Sequence, residues 1–280
     1  MGLRHSNQRL TTVIIVLCFY IVFSCFREGS TYYPSRKRTQ KVDDQIINEY
    51  QKQSELRKRF LKKYIKPKGY GTLYNALVPE VFCKDLIRIG RVGDGGKWIC
   101  NPTAMLNWPK CNIYSLGTYN DPSFEEDFQT FLGNKCKLRC VDKDEQKPDT
   151  IKRIENVNGV FKKAFIGSKT NESENMLKFS NLLSEFRDRR IDILKIDIEG
   201  GEFDIIDELV SVPMCQILIE IHGKTAEQTL ELLQALSKNG FYLFSYEVNG
   251  FWHELSEYSF IHEKCFTLFN IQTVYGKFLS

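Results

Sequence analysis

From residue 111 onward the chain alternates short apolar runs of β type with amphipathic stretches. NIYSLG reads as a strand, PSFEEDFQTFLG as a helix, KLRCVD and VFKKAFIG as strands, and MLKFSNLLSEF as a helix. The series continues with IDILKID (strand), EFDIIDELV (helix), QILIEIH (strand), TAEQTLELLQALSKNG (helix), and FYLFSYEV and CFTLFNIQTVY (strands). Strands separated by amphipathic helices predict βαβ crossovers, hence an α/β, Rossmann-like domain with a mostly parallel sheet covered on both faces. Two terminal strands with no long helix between them predict an antiparallel C-terminal edge. Open α/β sheets bind ligands at the carboxyl ends of their strands. That rule singles out Gly117, Asn120, Asp121, Asp142, Asp197, Glu199, Glu220 and His222.

The amino-terminal pattern is different. Leu10 to Phe26 is uncharged and flanked by Arg4, Arg9 and Arg27; as a helix it spans roughly 26 Å, enough for a thin bilayer. The expected organisation is a tail (1–9), a single-pass signal-anchor (10–26), a basic solvated stem with loosely helical apolar spacing (27–69) and a catalytic-type domain (70–280). A cleaved signal peptide is the alternative. Arg36, Lys37 and Arg38 also leave room for a cytosolic domain under the positive-inside rule.

Composition sharpens the division. The net charge of +4 conceals 15 basic and 5 acidic side chains in residues 1–69, against 24 and 30 in residues 70–280. An acidic domain argues against a nucleic-acid partner, which needs clustered Lys and Arg.

Seven cysteines lie beyond Cys18 and Cys25: Cys83, Cys100, Cys111, Cys136, Cys140, Cys215 and Cys265. The odd number leaves at least one unpaired within the chain. Cys136 and Cys140 sit too far apart along a strand to bridge. Cys83, Cys100 and Cys111 are the best disulfide candidates; Cys140, Cys215 and Cys265, in apolar strands, are expected as buried thiols. No Cys/His spacing indicates a metal site. Asn171-Glu172-Ser173 is a glycosylation sequon, and with the cysteines it favours a luminal domain of the secretory pathway, in the Golgi or endoplasmic reticulum, or a secreted one after cleavage.

Three motifs carry candidate chemistry. IDILKIDIEGGEFDII presents Asp197 and Glu199 at a strand end, where Gly200-Gly201 allow a sharp turn into a helix; a plain helix cap is the competing reading. SLGTYNDPSF places Gly117 and Thr118 where a cofactor can approach the backbone. Asp142 follows Gly117 by twenty-five residues, the position from which a carboxylate binds ribose hydroxyls. GRVGDGGKWIC reads as a tight hairpin.

These residues carry a resemblance. VGDGGKWIC, CNIYSLGTYNDPSFEEDF, IDILKIDIEGGEFDII, QILIEIH and SYEVNGFWHELSEYSFIH stand in this order, and with them the chain resembles the methyltransferase-like protein 24 family and its nematode members over about residues 75 to 275. It is also similar to FkbM-type S-adenosylmethionine-dependent methyltransferases, which share the aspartate-x-glutamate-glycine strand end. The resemblance implies a seven-stranded methyltransferase fold, S-adenosylmethionine as donor and an amino-terminal anchor. It implies that Gly117, Thr118, Asn120 and Asp121 face the methionine part, Asp142 holds the ribose, and Asp197 and Glu199 stand near the methyl group and acceptor. Leu116-Gly117-Thr118-Tyr119 replaces the glycine-rich loop of well-studied methyltransferases.

An O-methyltransferase acting on a glycan, metabolite or secreted protein is therefore the leading expectation, with Asp197 or His222 as base and Glu199 and Glu220 orienting acceptor or cofactor. Two rivals remain: a non-enzymatic binding module on the same fold, and a metal-dependent glycosyltransferase using Asp142-Lys143-Asp144.

Overall fold

The computed structural model describes residues 42–280. The apolar segment 10–26, Cys18, Cys25 and the first part of the stem lie outside the described residues. Among the described residues no helix is long and apolar enough to cross a membrane.

Residues assigned to a solvated stem form a helix of the domain itself. Helix α1 (Asp44–Lys68) starts at Asp43, whose carboxylate accepts from the Gln45 backbone N–H at 2.7 Å, a cap that satisfies one of the free donors of the first turn. Its Leu61 and Ile65 are buried in the same core as Leu230, Phe278 and Leu279. Arg57 donates to the Ala76 carbonyl at 2.8 Å, and Tyr50 stacks on Tyr275. Residues 44–68 thus pack as part of the same compact unit as the rest of the domain. The apolar spacing at Tyr50, Leu61 and Ile65 is a packing face, whereas Ile46 is exposed. Helix α2 (Tyr70–Ala76) follows directly.

The hairpin read at GRVGDGGKWIC is formed by β1 (Leu86–Ile89) and β2 (Lys97–Cys100). The central sheet has seven strands: β3 (Asn112–Leu116), β4 (Lys137–Asp142), β5 (Gly159–Lys163), β8 (Ile191–Ile196), β9 (Met214–His222), β10 (Phe241–Glu247) and β11 (Leu255–His262). Their order is β10-β11-β9-β8-β3-β4-β5. Parallel pairing runs from β9 through β5, and β11 is antiparallel to both its neighbours. The reversed strand therefore lies inside the sheet, one place in from the edge. It is LSEYSFIH; the CFTLFNIQTVY segment read as the last strand forms turns and one bridge, Val81 to Val274.

Helices cover both faces. On one, α2, α5 (Phe179–Phe186), α6 (Glu202–Ser211) and α7 (Ala226–Lys238) pack Leu73, Phe179, Leu182, Ile205, Leu209 and Leu233 against Ile217, Ile219 and Ile221. On the other, α3 (Ser123–Phe131) and α4 (Pro148–Asn156) pack Phe124, Phe128 and Ile154 against Ile113, Leu138 and Leu218. Odd and even positions of β9 thus serve opposite layers, as the two-residue period of a strand dictates. VFKKAFIG, read as one strand, is divided at Ala164 into β5 and β6 (Phe165–Gly167); β6 pairs with β7 (Met176–Lys178) outside the sheet.

Three disulfides close the structure: Cys83–Cys100, Cys111–Cys136 and Cys215–Cys265, with Cα separations of 5.3, 4.6 and 5.5 Å. Cys140 is a buried free thiol, as its strand position suggested. Cys215 and Cys265 depart from that expectation: Cys265 follows β11 in a short helical turn, which folds back beside Cys215 at the start of β9.

Candidate active site

The strand order reverses between β3 and β8, and there the two most informative motifs meet. Gly117, at φ +84°, has its backbone N–H on the Val141 carbonyl, while the Asp197 N–H donates to Leu116. A β-carbon on Gly117 would stand 1.8 Å from the Asp197 carbonyl oxygen, so only glycine fits. The chain then turns through Tyr119 and Asn120, both at positive φ, into α3.

Asp142 holds that turn. Its Oδ2 accepts from the N–H groups of Thr118 and Tyr119, and its Oδ1 from that of Asp144, each at 2.9 Å. A carboxylate offers about four acceptor positions, so one is left for a ligand hydroxyl. Lys195, buried on β8, holds the same turn from beneath by donating to the Gly117 carbonyl at 2.9 Å. Burial would lower its pKa, but Glu125 at 3.3 Å and the nearby Asp197 outweigh burial and raise it, keeping the ammonium charged. Local pattern makes Lys195 an ordinary strand residue, since Glu125 lies 70 residues away.

Above these strand ends lies an open cleft of about 210 Å³, lined by Gly117, Tyr119, Asp142, Asp144, Ile166, Asp197 and Glu199 among others. Asp142, Lys143 and Asp144 form one side, Val141, Ala164, Ile166 and Ile198 the apolar part, and Asp197 and Glu199 the other end. Lys143 and the Ala164–Ile166 wall were not anticipated, because Ala164 breaks what reads as a continuous strand.

Several anticipated residues lie elsewhere. Thr118 is buried beneath the turn. Asn120 faces the start of α4, accepting from the Lys147 N–H at 2.7 Å and donating its own N–H to Gln146. Asp121 accepts from the Ser123 N–H and pairs with Arg91 at 3.3 Å. These three build the turn and are not among the residues that line the cleft. Glu220, 6% exposed, also lies off the cleft. It sits opposite Glu257 in the β9–β11 register, with the buried Lys97 of β2 3.8 Å away and paired to Glu257. The hairpin motif thus delivers the lysine that sits between two carboxyls. Burial first, then Glu257 and Asp197, pushes Glu220 up to about 9, so it is a neutral acid at pH 7.

Asp197, Glu199 and His222 do converge. His222 Nε2 lies 3.7 Å from Asp197 Oδ1 and 3.5 Å from Glu199 Oε2; Nδ1 lies 3.3 Å from Glu202 Oε1. Burial would lower the imidazole pKa, but Glu202, Asp197 and Glu220 outweigh it and raise it to about 9. The surrounding carboxylates thus favour positive charge at this position. Glu202 is fully buried; its Oε1 accepts from the Ile198 N–H at 2.9 Å, bracing the turn through Glu199, Gly200 and Gly201. Leu255, the first residue of β11, pairs with His222, so the β10–β11 loop, with exposed Phe251 and Trp252, ends beside this end of the site.

The chain is similar to the Methanococcus jannaschii fibrillarin pre-rRNA processing protein: 16% identity, TM-score 0.38, covering 67% of this chain and 86% of that one. It is also similar to Aeropyrum pernix fibrillarin in complex with natively bound S-adenosyl-L-methionine (13%, TM-score 0.35, 66% and 86%). A third is M. capricolum TrmK in complex with S-adenosyl-homocysteine (13%, TM-score 0.33, 58% and 67%). Likenesses this distant carry no weight beside the chain's own strand order. No curated protein matches the chain. The family described as a methyltransferase domain matches residues 40–262, and this chain belongs to that family.

Proposed function

We propose that the protein is an S-adenosylmethionine-dependent methyltransferase acting on an oxygen acceptor. The observation that carries the reading is the cleft at the β3/β8 reversal, where Gly117 is pressed against Asp197 and Asp142 holds the intervening turn. The donor supplies a methyl carbon on a positively charged sulfur; the acceptor oxygen forms the new C–O bond as the C–S bond breaks and its electron pair stays on sulfur.

The chain's own groups suit that donor. Val141, Ala164, Ile166 and Ile198 offer the apolar wall an adenine needs, and Asp142 keeps one acceptor position for a ribose hydroxyl, with Asp144 beside it. At the opposite end Asp197, Glu199 and His222 face the acceptor. Asp197 is the group placed to receive the acceptor's proton.

The glycosyltransferase reading of Asp142-Lys143-Asp144 loses support, since the family to which the chain belongs is described as a methyltransferase domain. Three disulfides favour an oxidising compartment. Asn171, capping a short turn between β6 and β7, is open to glycosylation there. We read the protein as a membrane-anchored or secreted enzyme of the secretory pathway, with residues 10–26 as anchor or signal and a luminal glycan, metabolite or secreted protein as acceptor.

Thermal unfolding of the purified chain with added nucleotide tests the reading. Stabilisation by S-adenosylhomocysteine, and none by uridine diphosphate with Mn²⁺, is expected. The reverse result would install the glycosyltransferase, and stabilisation by neither would leave a binding module.

A further inference from the structure

Asp197 and Glu199, just beyond β8, and His222, at the end of β9, each present one metal-ligating atom, all within 4.8 Å of one another. The His222 Nε2 distances to the two carboxylates are 3.7 and 3.5 Å. Two donors ~2.1 Å from one ion stand roughly 3.0–3.5 Å apart at tetrahedral to octahedral angles. The two histidine–carboxylate distances need change by only a few tenths of an ångström, and the carboxylates, within 4.8 Å of each other, can draw together through the exposed Glu199 side chain.

A second observation points the same way. Behind the imidazole stands Glu202, fully buried, with Oε1 3.3 Å from His222 Nδ1 and Oε2 without any hydrogen-bond partner. Nδ1 itself is off alignment for a hydrogen bond. A buried carboxylate behind a histidine is the arrangement that fixes a metal-binding tautomer, with the far nitrogen turned to the ion. Glu199 is also held at φ +56°, a costly conformation for a non-glycine residue and one that gathers at ligand sites. In charge, Asp197, Glu199, Glu202 and Glu257 outnumber Lys97 and His222 here.

We propose that Asp197, Glu199 and His222 bind one divalent first-row transition cation at the acceptor end of the cleft, with Glu202 orienting the histidine, and that the acceptor binds through oxygen to that ion. One imidazole with two carboxylates suits Mn²⁺ or Zn²⁺, and it disfavours Mg²⁺ and Ca²⁺, which take oxygen ligands. Three protein ligands leave a position open for the acceptor. The assignment rests on the methyl-transfer reading for its acceptor but not for its ion. With the ion bound, Asp197 is a ligand; the ion makes the acceptor hydroxyl more acidic, and its proton passes to solvent.

The test is titration of the purified full chain with MnCl₂, reading free Mn²⁺ by electron paramagnetic resonance, with ZnCl₂ as competitor. One saturable site per chain is expected, weakened at least tenfold in His222→Ala and Asp197→Asn and about 10- to 100-fold in Glu202→Gln. Should a buried variant unfold, Glu199→Gln, at an exposed side chain, must still show the loss. No saturable binding, unchanged affinity in the folded variants, or loss confined to Asp144→Asn overturns the proposal. S-adenosylhomocysteine titrated into the same samples separates the two readings: nucleoside binding without Mn²⁺ binding removes only the cation site, and Mn²⁺ binding without nucleoside binding removes only the methyl donor.

Discussion

The α-carbon of Gly117 packs so closely on the Asp197 carbonyl that a β-carbon would stand 1.8 Å from its oxygen. Two motifs 80 residues apart in sequence are thereby locked together at the floor of one cleft. Gly117→Ala must push β3 and β8 apart and hold alanine at φ +84°. Strain of ~1–3 kcal/mol from the backbone and a similar amount from overpacking should appear in chemical denaturation. Binding of S-adenosylhomocysteine should fall with it; a variant as stable as the parent would contradict the close approach.

Asp142 contributes through the turn as much as through any ligand. Asp142→Ala strands the N–H groups of Thr118, Tyr119 and Asp144; the Thr118 donor is buried, and a buried donor left unpaired costs about 1–3 kcal/mol. Asp142→Asn keeps one acceptor oxygen and should fall between parent and alanine variant in stability and nucleoside affinity. Equal behaviour of the two variants would mean that the turn does not depend on these bonds.

Covalent structure gives a prediction independent of the site. The Cys215–Cys265 bridge closes a loop of 50 residues, which chain-entropy arguments equate to about 4 kcal/mol. Reductant should lower the melting temperature sharply. Alkylation of the denatured, unreduced protein should label Cys140 and none of the other six cysteines among residues 42–280, as read by peptide mass. Labelling of Cys215 or Cys265 would refute that bridge.

Glu80 anchors the carboxyl terminus. Its carboxyl accepts from the N–H groups of Leu243, Phe278 and Leu279 at 3.0, 2.8 and 3.2 Å. Burial pushes its pKa above the ordinary 4.5, against the lowering effect of those bonds. A group whose folded pKa is raised adds stability that is fully present below pH 4.5 and is lost as pH rises through the folded value. The melting temperature of the parent relative to Glu80→Gln should therefore be highest in acid and decline above pH 4.5. A difference that stays flat or grows with pH would exclude this sign.

The fold was legible where burial is two-sided and the site where it lies on strand ends. β8 and β9 declare themselves by their closely spaced isoleucines and leucines because helices cover both faces, and Asp197, Glu199 and His222 follow from the carboxyl-end rule. β11 was hidden because Ser256 and Glu257 are polar within it; Glu257 points to Lys97 of the hairpin, a partner 160 residues away. The segment after it looked like a strand because Phe266 and Phe269 are apolar, yet they pack singly on Tyr242 and Trp108 from turns. α4 was missed because only Ile154 of its side chains enters the core deeply. Lys195 could not be read at all: a lysine in a buried strand is explained only by the Glu125 and Gly117 carbonyl that the tertiary fold brings to it.

The central claim, a methyl-donor site at the β3/β8 reversal, is tested most directly by calorimetric titration of the purified chain with S-adenosylhomocysteine, beside Gly117→Ala and Asp142→Ala. The expected result is one saturable site in the parent, weakened at least tenfold in both variants. Absence of binding by the folded parent, or binding that neither substitution disturbs, would contradict it.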